Sequence, residues 1–214
     1  MANQEDLKFT VDSQLLGELG ERLVTHNYVA LAELIKNAYD ADATDLIIRF
    51  INTKKENGSL GQSEIQLIDN GHGMTFEEVK DYWMRIATPG KRRYPLSPNF
   101  GRKKTGNKGV GRFACRRLAK KLIIETTSKI PNSCHYEFTQ VVFNWKDFKP
   151  GTKLTDIPCK HLTGKRDDGK EGTILRLMEV SEFWSDHDFD LLRRQVLTLS
   201  TMGSTQRDNF KEDP

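Results

Sequence analysis

Glu33, Asn37 and Asp40 stand at i, i+4 and i+7 in the stretch YVALAELIKNAYD. That spacing stacks three polar side chains on one face of a helix. Leu31, Leu34, Ile35 and Ala38 fall elsewhere around it and form the stripe that would dock the helix on a core. A carboxylate and an amide oxygen one turn apart could hold a water molecule and a Mg2+ ion, whose remaining ligands are usually waters and phosphate oxygens. A solvated helix face would show the same three residues, so the reading depends on what accompanies them.

A β-branched run ends in IDNGHGM, which puts Asp69 at the mouth of a sheet. Gly71 and Gly73 let the backbone turn tightly and a flat ligand approach closely. Asp69 can accept a hydrogen bond from an exocyclic amine, and Met74 can lie against an aromatic ring. A plain hairpin turn would also use these residues. Further on, GNKGVGRFA brings Gly106, Gly109 and Gly111 to the start of a helix, where unpaired N–H groups and the helix dipole attract anions. Lys108 and Arg112 add positive charge beside it. The run lacks the ending of a Walker A loop, and it follows a polar loop where the dinucleotide fingerprint follows a strand.

The elements that must position these groups are legible in outline. Leu15, Leu16, Leu19 and Leu23 predict a first helix capped by Asp12 or Ser13, followed by the helix that carries Glu33. LIIRFI and EIQLID read as two strands joined by the turn chemistry of ENGSLG. Thr75 and Glu78 have capping-box spacing and open a helical pattern through Val79, Tyr82, Trp83 and Ile86. Residues 88–108 are rich in Pro, Gly and positive charge and lack periodicity, the profile of a long functional loop. GVGRFACRRLAKK predicts a helix, and KLIIETTS, HYEFTQVVFNW, residues 152–157 and TILRLM predict strands. FDLLRRQVLTLS predicts a last helix. Consecutive strands without helices between them indicate an α+β fold, with a mixed, mostly antiparallel sheet covered by helices on one face.

A chain of 214 residues is sized for one domain, expected over residues 1–200 with 201–214 as a flexible tail. Its 33 basic and 30 acidic residues give a net charge of +3, which as a whole points to neither a nucleic acid nor a membrane. The distribution is less even. Lys91, Arg92, Arg93, Arg102, Lys103, Lys104, Lys108, Arg112, Arg116, Arg117, Lys120 and Lys121 form a basic run that could grip a nucleic-acid backbone or face a triphosphate. Cys115, Cys134 and Cys159 are far apart and in no CxxC pair, which suggests a reducing compartment. With neither a leader nor a membrane-length apolar run, a cytoplasmic protein is expected.

Read in order, ELIKNAYDA, DNGHGM, GNKGVGRFA and GTILRL resemble the N, G1, G2 and G3 boxes of the GHKL superfamily. These are the ATP-binding domains of DNA gyrase, the ninety-kilodalton heat-shock chaperones, sensor histidine kinases and MutL-type repair proteins. The resemblance covers roughly residues 28–178. It implies a Bergerat-type two-layer α/β sandwich that binds ATP and Mg2+ between its helical layer and a flexible lid, here residues 88–108. On this resemblance Glu33 matches the water-activating carboxylate and Asn37 the side chain that holds Mg2+. Asp69 matches the adenine-reading carboxylate, with Gly71, Gly73 and Met74 beside the base. Thr173 matches the threonine that shares the adenine-bound water with Asp69. Gly109, Val110, Gly111 and Arg112 match the phosphate-cradling helix start, and Lys91 the lid lysine aimed at the terminal phosphate. Asp40, Thr88, Gly106 and Lys108 complete the implied ATP-binding set.

Three functions are compatible with this resemblance. The leading one is slow, Mg-dependent ATP hydrolysis that closes the lid and drives association of two N-terminal domains as a homodimer. A downstream domain is then expected, because relatives draw a phosphate-contacting cation from one. The second is the catalytic domain of a histidine kinase, but such kinases usually carry Asn where Glu33 stands, since they should not activate water. The third is an ATP-switched nucleic-acid-binding module with little turnover, to which AELIKNAYDA and IATPGK are similar in the MORC-like members.

Overall fold

The computed structural model describes residues 9–54, 59–86, 94–105, 114–167 and 169–208. Their framework is a six-stranded sheet: β1 (Leu46–Ile51), β2 (Glu64–Asp69), β3 (Ala119–Lys129), β4 (Tyr136–Asn144), β5 (Lys160–Arg166) and β6 (Gly172–Val180). The spatial order is β1-β2-β6-β3-β4-β5, and each described pairing is antiparallel. The expected α+β sandwich is thus present, with its described strands antiparallel throughout. The last strand, β6, inserts between β2 and β3. This placement brings Thr173 opposite Asp69.

One face of the sheet carries the core. Ile65, Leu67, Leu122, Ile124, Leu175 and Leu177 alternate inward on the middle strands, as a period of two requires. Each such side chain contributes about 1.5–3 kcal/mol by leaving water. Helices α1 (Gln14–Leu23), α2 (Asn27–Asp40), α3 (Phe76–Glu78, continued by a π-helical turn at Val79–Trp83), α4 (Ala114–Leu118) and α5 (Asp186–Asp208) complete the described elements. Leu31 and Leu34 of α2 and Leu118 of α4 are buried in the core cluster. The opposite sheet face mixes apolar residues such as Ile68, Ile123 and Ile174 with polar ones, and there Arg176 Nε donates to Glu64 Oε1 at 2.7 Å and Gln140 to Glu125 at 2.8 Å.

Local signals explain several boundaries. The capping box at Thr75 is formed: Thr75 N donates to Glu78 Oε2 at 2.8 Å and Glu78 N to Thr75 Oγ1 at 3.3 Å. At α1, Ser13 is the cap position but its hydroxyl donates to Lys149 O at 2.8 Å. Asp12 Oδ1 takes up the backbone N–H of Gln14 instead.

Four expectations change. The helix read through Lys121 stops at Leu118, because Ala119 pairs with Val180 and starts β3 two residues early. Residues 152–157 are not a strand: Lys153 makes a single bridge to Asp12, and Leu154–Asp156 is a 3-10 turn. The strand of this region is β5, whose seven residues are all exposed and so carry no apolar alternation to read. Finally, α5 continues past Ser200 to Asp208, into the stretch expected as a tail. Among the described residues no helix is long and apolar enough to cross a membrane.

Candidate functional site

The site is built where the C-terminal end of β2 meets α2. Asp69 is the last residue of β2, and its Oδ1 accepts the backbone N–H of Gly71 at 2.9 Å. The backbone of Thr173 hydrogen-bonds the same carboxylate. Burial pushes the Asp69 carboxyl above the ordinary aspartate range, and these two backbone donors and the His72 charge offset only part of it. A desolvated acceptor anchored at the end of a sheet is suited to a single polar contact with an otherwise flat, apolar ligand.

Glycines make the approach possible. A Cβ on Gly71 would lie 2.5 Å from Ala41 O, and His72 N donates to that same carbonyl at 2.9 Å, so the turn after β2 lies against the end of α2. Gly73 has φ +63° and a Cβ there would fall 2.0 Å from Thr127 O. Only glycine satisfies both conditions at that point. Asn70 ties the same turn to the start of β1, accepting from Thr44 N and Asp45 N at 2.9 Å each.

On α2, Glu33 is half-buried and its Oε1 accepts from Lys36 Nζ at 2.7 Å. Asn37 is half-buried one turn later, and Asp40 is buried. Asp40 Oδ1 accepts from Thr105 N at 2.9 Å and Thr105 Oγ1 at 3.1 Å. Residues 94–105, part of the stretch read from sequence as a long functional loop, therefore have defined attachments, including a bridge between Leu96 and Lys103. Of the basic run, Arg102 stacks between the Tyr39 and Phe100 rings at 4.8 Å from each. Arg117 donates to Glu182 at 3.1 Å. These two cations serve the fold.

The structure thus brings Asp69, Gly71, Gly73, Met74 and Thr173 together at one sheet end and sets Glu33, Asn37 and Asp40 along the neighbouring helix. Thr88, Lys91, Gly106, Lys108, Gly109, Val110, Gly111 and Arg112 lie outside the described residues. Sequence reasoning missed Thr126 of β3, whose hydroxyl accepts from Met74 N at 2.9 Å. It also missed Gly172, with φ +143°, where a Cβ would fall 2.2 Å from Asp69 O. Gly172 stood in the GTILRL box. Thr126 had no signal, because its importance comes from register across the sheet.

A sequence model of the family described as "Histidine kinase-, DNA gyrase B-, and HSP90-like ATPase" matches residues 25–173, the segment from the start of α2 to the residue opposite Asp69. The chain belongs to that ATPase family. As a member it carries an ATP-binding domain. Among curated proteins, the chain is 32% identical over 114 residues to one named "Putative type II restriction enzyme HgiDII" from Herpetosiphon aurantiacus. The match covers 53% of this chain and 16% of that protein, so the chain spans a small part of the relative's length.

Proposed function

We propose that the chain binds ATP with its base against Asp69 and its phosphates along α2, and that it hydrolyses the terminal phosphate slowly with Glu33 as general base. The observation that carries this reading is the half-buried, partly desolvated Asp69 carboxylate at the end of β2, which accepts from Gly71 N at 2.9 Å and stands opposite Thr173 of β6. Its ionised form accepts hydrogen bonds only, which matches an exocyclic amine.

Glu33 lies on the helix that flanks this end of the sheet, and its side chain is 32% exposed, so water can reach it. Lys36 engages Oε1, and a carboxylate retains lone pairs on its second oxygen to take a proton from water. Asn37, one turn on, supplies an uncharged oxygen. Among the described residues no group of three His, Cys, Asp or Glu could hold a metal by itself. That donor set suits Mg2+, which takes one or two protein oxygens and completes its shell from phosphates and water. When bound, Mg2+ neutralises charge on the phosphoryl oxygens. The residues of this chain orient the nucleotide, accept the water's proton and close the site, with residues 88–108 as the lid and a second copy as the partner.

The relative named as a restriction enzyme supports a second reading, in which ATP binding is coupled to work on DNA by a longer protein. Calorimetry with ATP and Mg2+ tests the primary proposal. Saturable binding that is lost in Asp69→Asn supports it, and equal binding by both proteins overturns the base assignment.

A further inference from the structure

On the sheet face turned away from the helices, β4 presents Tyr136, Phe138, Gln140, Val142 and Asn144, which alternate with the buried Thr139, Val141 and Phe143 of the core side. None of the five is buried, so among the described residues no element covers this face. Register fixes their neighbours. Tyr136 stands between Lys129 of β3 and Arg166 of β5, Asn144 beside Lys121 of β3, and Val142 beside Lys160 of β5. Cross-strand partners share a face. Two cations on β3 and two on β5 therefore flank the middle strand, about 10 Å apart across it, and the β5 pair spans about 20 Å along it.

The fold does not use these charges. Among the described residues none of Lys121, Lys129, Lys160 and Arg166 forms an ion pair, whereas Lys80, Arg85 and Arg193 in the helical layer each do. The acids of the uncovered face are engaged elsewhere: Glu125 accepts from Gln140 at 2.8 Å and Glu64 from Arg176 at 2.7 Å. The Arg166 guanidinium lies over the Phe138 ring, 4.0 Å from its centroid. Gly164 pairs with Phe138 on β5, and a Cβ there would meet nothing within 4 Å, so the space beside the ring is open. A guanidinium stacked in this way keeps its N–H groups in plane for a phosphate and its second face for a base.

Lysine on an edge strand guards it against pairing, which accounts for Lys160 but not for Lys121 and Lys129, two strands further in. A second copy does not fit, because antiparallel pairing of two β5 edges about Thr163 sets Lys160 against Arg166 twice. We infer that the uncovered face of β3, β4 and β5 binds a single strand of nucleic acid, with its phosphates on Lys129, Lys160 and Arg166 and its bases stacked on Tyr136 and on the Phe138–Arg166 pair. Aromatic rings between cations suit a strand whose base faces are free. A duplex hides those faces and meets the cations alone. The surface lies across the sheet from α2 and its binding is measured without ATP, so it is tested apart from the nucleotide reading.

The test is fluorescence anisotropy on the 214-residue chain with a labelled mixed-sequence single strand of about 20 nucleotides, the same sequence as a duplex, and polyglutamate as competitor, over a range of salt. Wild type binds the single strand more tightly than the duplex. Lys129→Ala/Lys160→Ala/Arg166→Ala lowers the slope of log affinity against log salt by about 2, at about 0.7 for each phosphate contact. The charge-matched Lys80→Ala/Arg85→Ala/Arg193→Ala variant keeps the wild-type slope. Tyr136→Ala also keeps the slope but weakens the single strand about tenfold, the loss of one stacking partner, and leaves the duplex unchanged. Should Tyr136→Ala fail to fold, Tyr136→Leu retains apolar bulk without the ring and reads the same loss. Absence of single-strand binding at low salt overturns the inference. So do a slope that falls equally in both triple variants or in neither, and a wild-type affinity in folded Tyr136→Ala or Tyr136→Leu. Polyglutamate that displaces the label as well as unlabelled single strand of equal charge overturns it too, and assigns the face to an acidic polypeptide.

Discussion

Asp40, the last residue of α2, accepts both the backbone N–H and the hydroxyl of Thr105 through a single oxygen. Two residues later Asp42, buried and at φ +63°, accepts from Asn99 N at 2.7 Å and Phe100 N at 3.4 Å. Arg102 returns the contact by donating to Ala43 O at 2.7 Å. The segment of residues 94–105 is thus fastened to the end of the helix that carries Glu33 and Asn37. Asp40 entered the sequence reading as an ATP contact, and the structure gives it this fastening.

Asp40→Ala removes a buried acceptor from two donors of Thr105, at a cost of about 1–3 kcal/mol. Amide exchange in residues 94–105 should accelerate without nucleotide while the strands around Leu67 and Leu175 keep their protection. Unchanged exchange at Thr105 would show that Asp40 does not hold the segment.

Asp69→Asn should separate stability from binding. A carboxyl whose folded-state pKa lies above its unfolded value stabilises the fold while protonated. That contribution is present below the unfolded pKa and is lost as pH rises through the folded one. Near neutral pH the wild type therefore bears a desolvated charge that asparagine lacks, and thermal melts should find the free variant at least as stable as wild type. ATP affinity should nonetheless fall about 10- to 100-fold, as a charged acceptor is lost. In the wild type, affinity should decline on acidification already above about pH 4, where ordinary aspartates remain ionised. An affinity independent of pH through this window would remove Asp69 from the base contact.

How much of this was readable beforehand follows from what each feature depends on. LIIRFI and EIQLID are strands with the expected ends, since the side chains that fill the core also mark the period. The α2 face was readable because 3.6-residue periodicity is local. The exposed strand β5 was not, for its state depends on pairing with β4 and leaves no mark on its own residues. Thr126 was hidden for the same reason. ETTS carries nothing to single out its first threonine until β6 is laid beside β3 and sets Thr126 against Thr173.

Gly73 and Gly101 share nearly the same left-handed backbone, φ +63° and +62°, but differ in surroundings: a Cβ on Gly73 would meet Thr127 O at 2.0 Å, and one on Gly101 meets nothing within 4 Å. Gly101→Ala should therefore cost only the conformational penalty, about 1–2 kcal/mol. Gly73→Ala adds a backbone clash and should cost more than about 3 kcal/mol or prevent folding. Equal losses in denaturant titrations would mean that the turn after β2 adjusts freely and that the tight approach to β3 is not needed.

Glu33→Ala is the substitution that tests chemistry apart from binding. The side chain touches solvent and Lys36, and its removal leaves Asp69, Thr173 and the glycine turn in place. ATP affinity should change little. The rate of phosphate release should fall about 100- to 10,000-fold, the usual cost of losing a general base. Lys36→Met adds a control. It takes away the cation 2.7 Å from Oε1, so Glu33 keeps its carboxylate but loses the partner that orients it. A smaller loss, about tenfold, is expected if Lys36 only positions the base. Single-turnover measurements with protein in excess over radiolabelled ATP resolve slow release from background. Equal release by wild type and Glu33→Ala, above that background, would assign Glu33 to holding Lys36 on the helix and leave the water to another group.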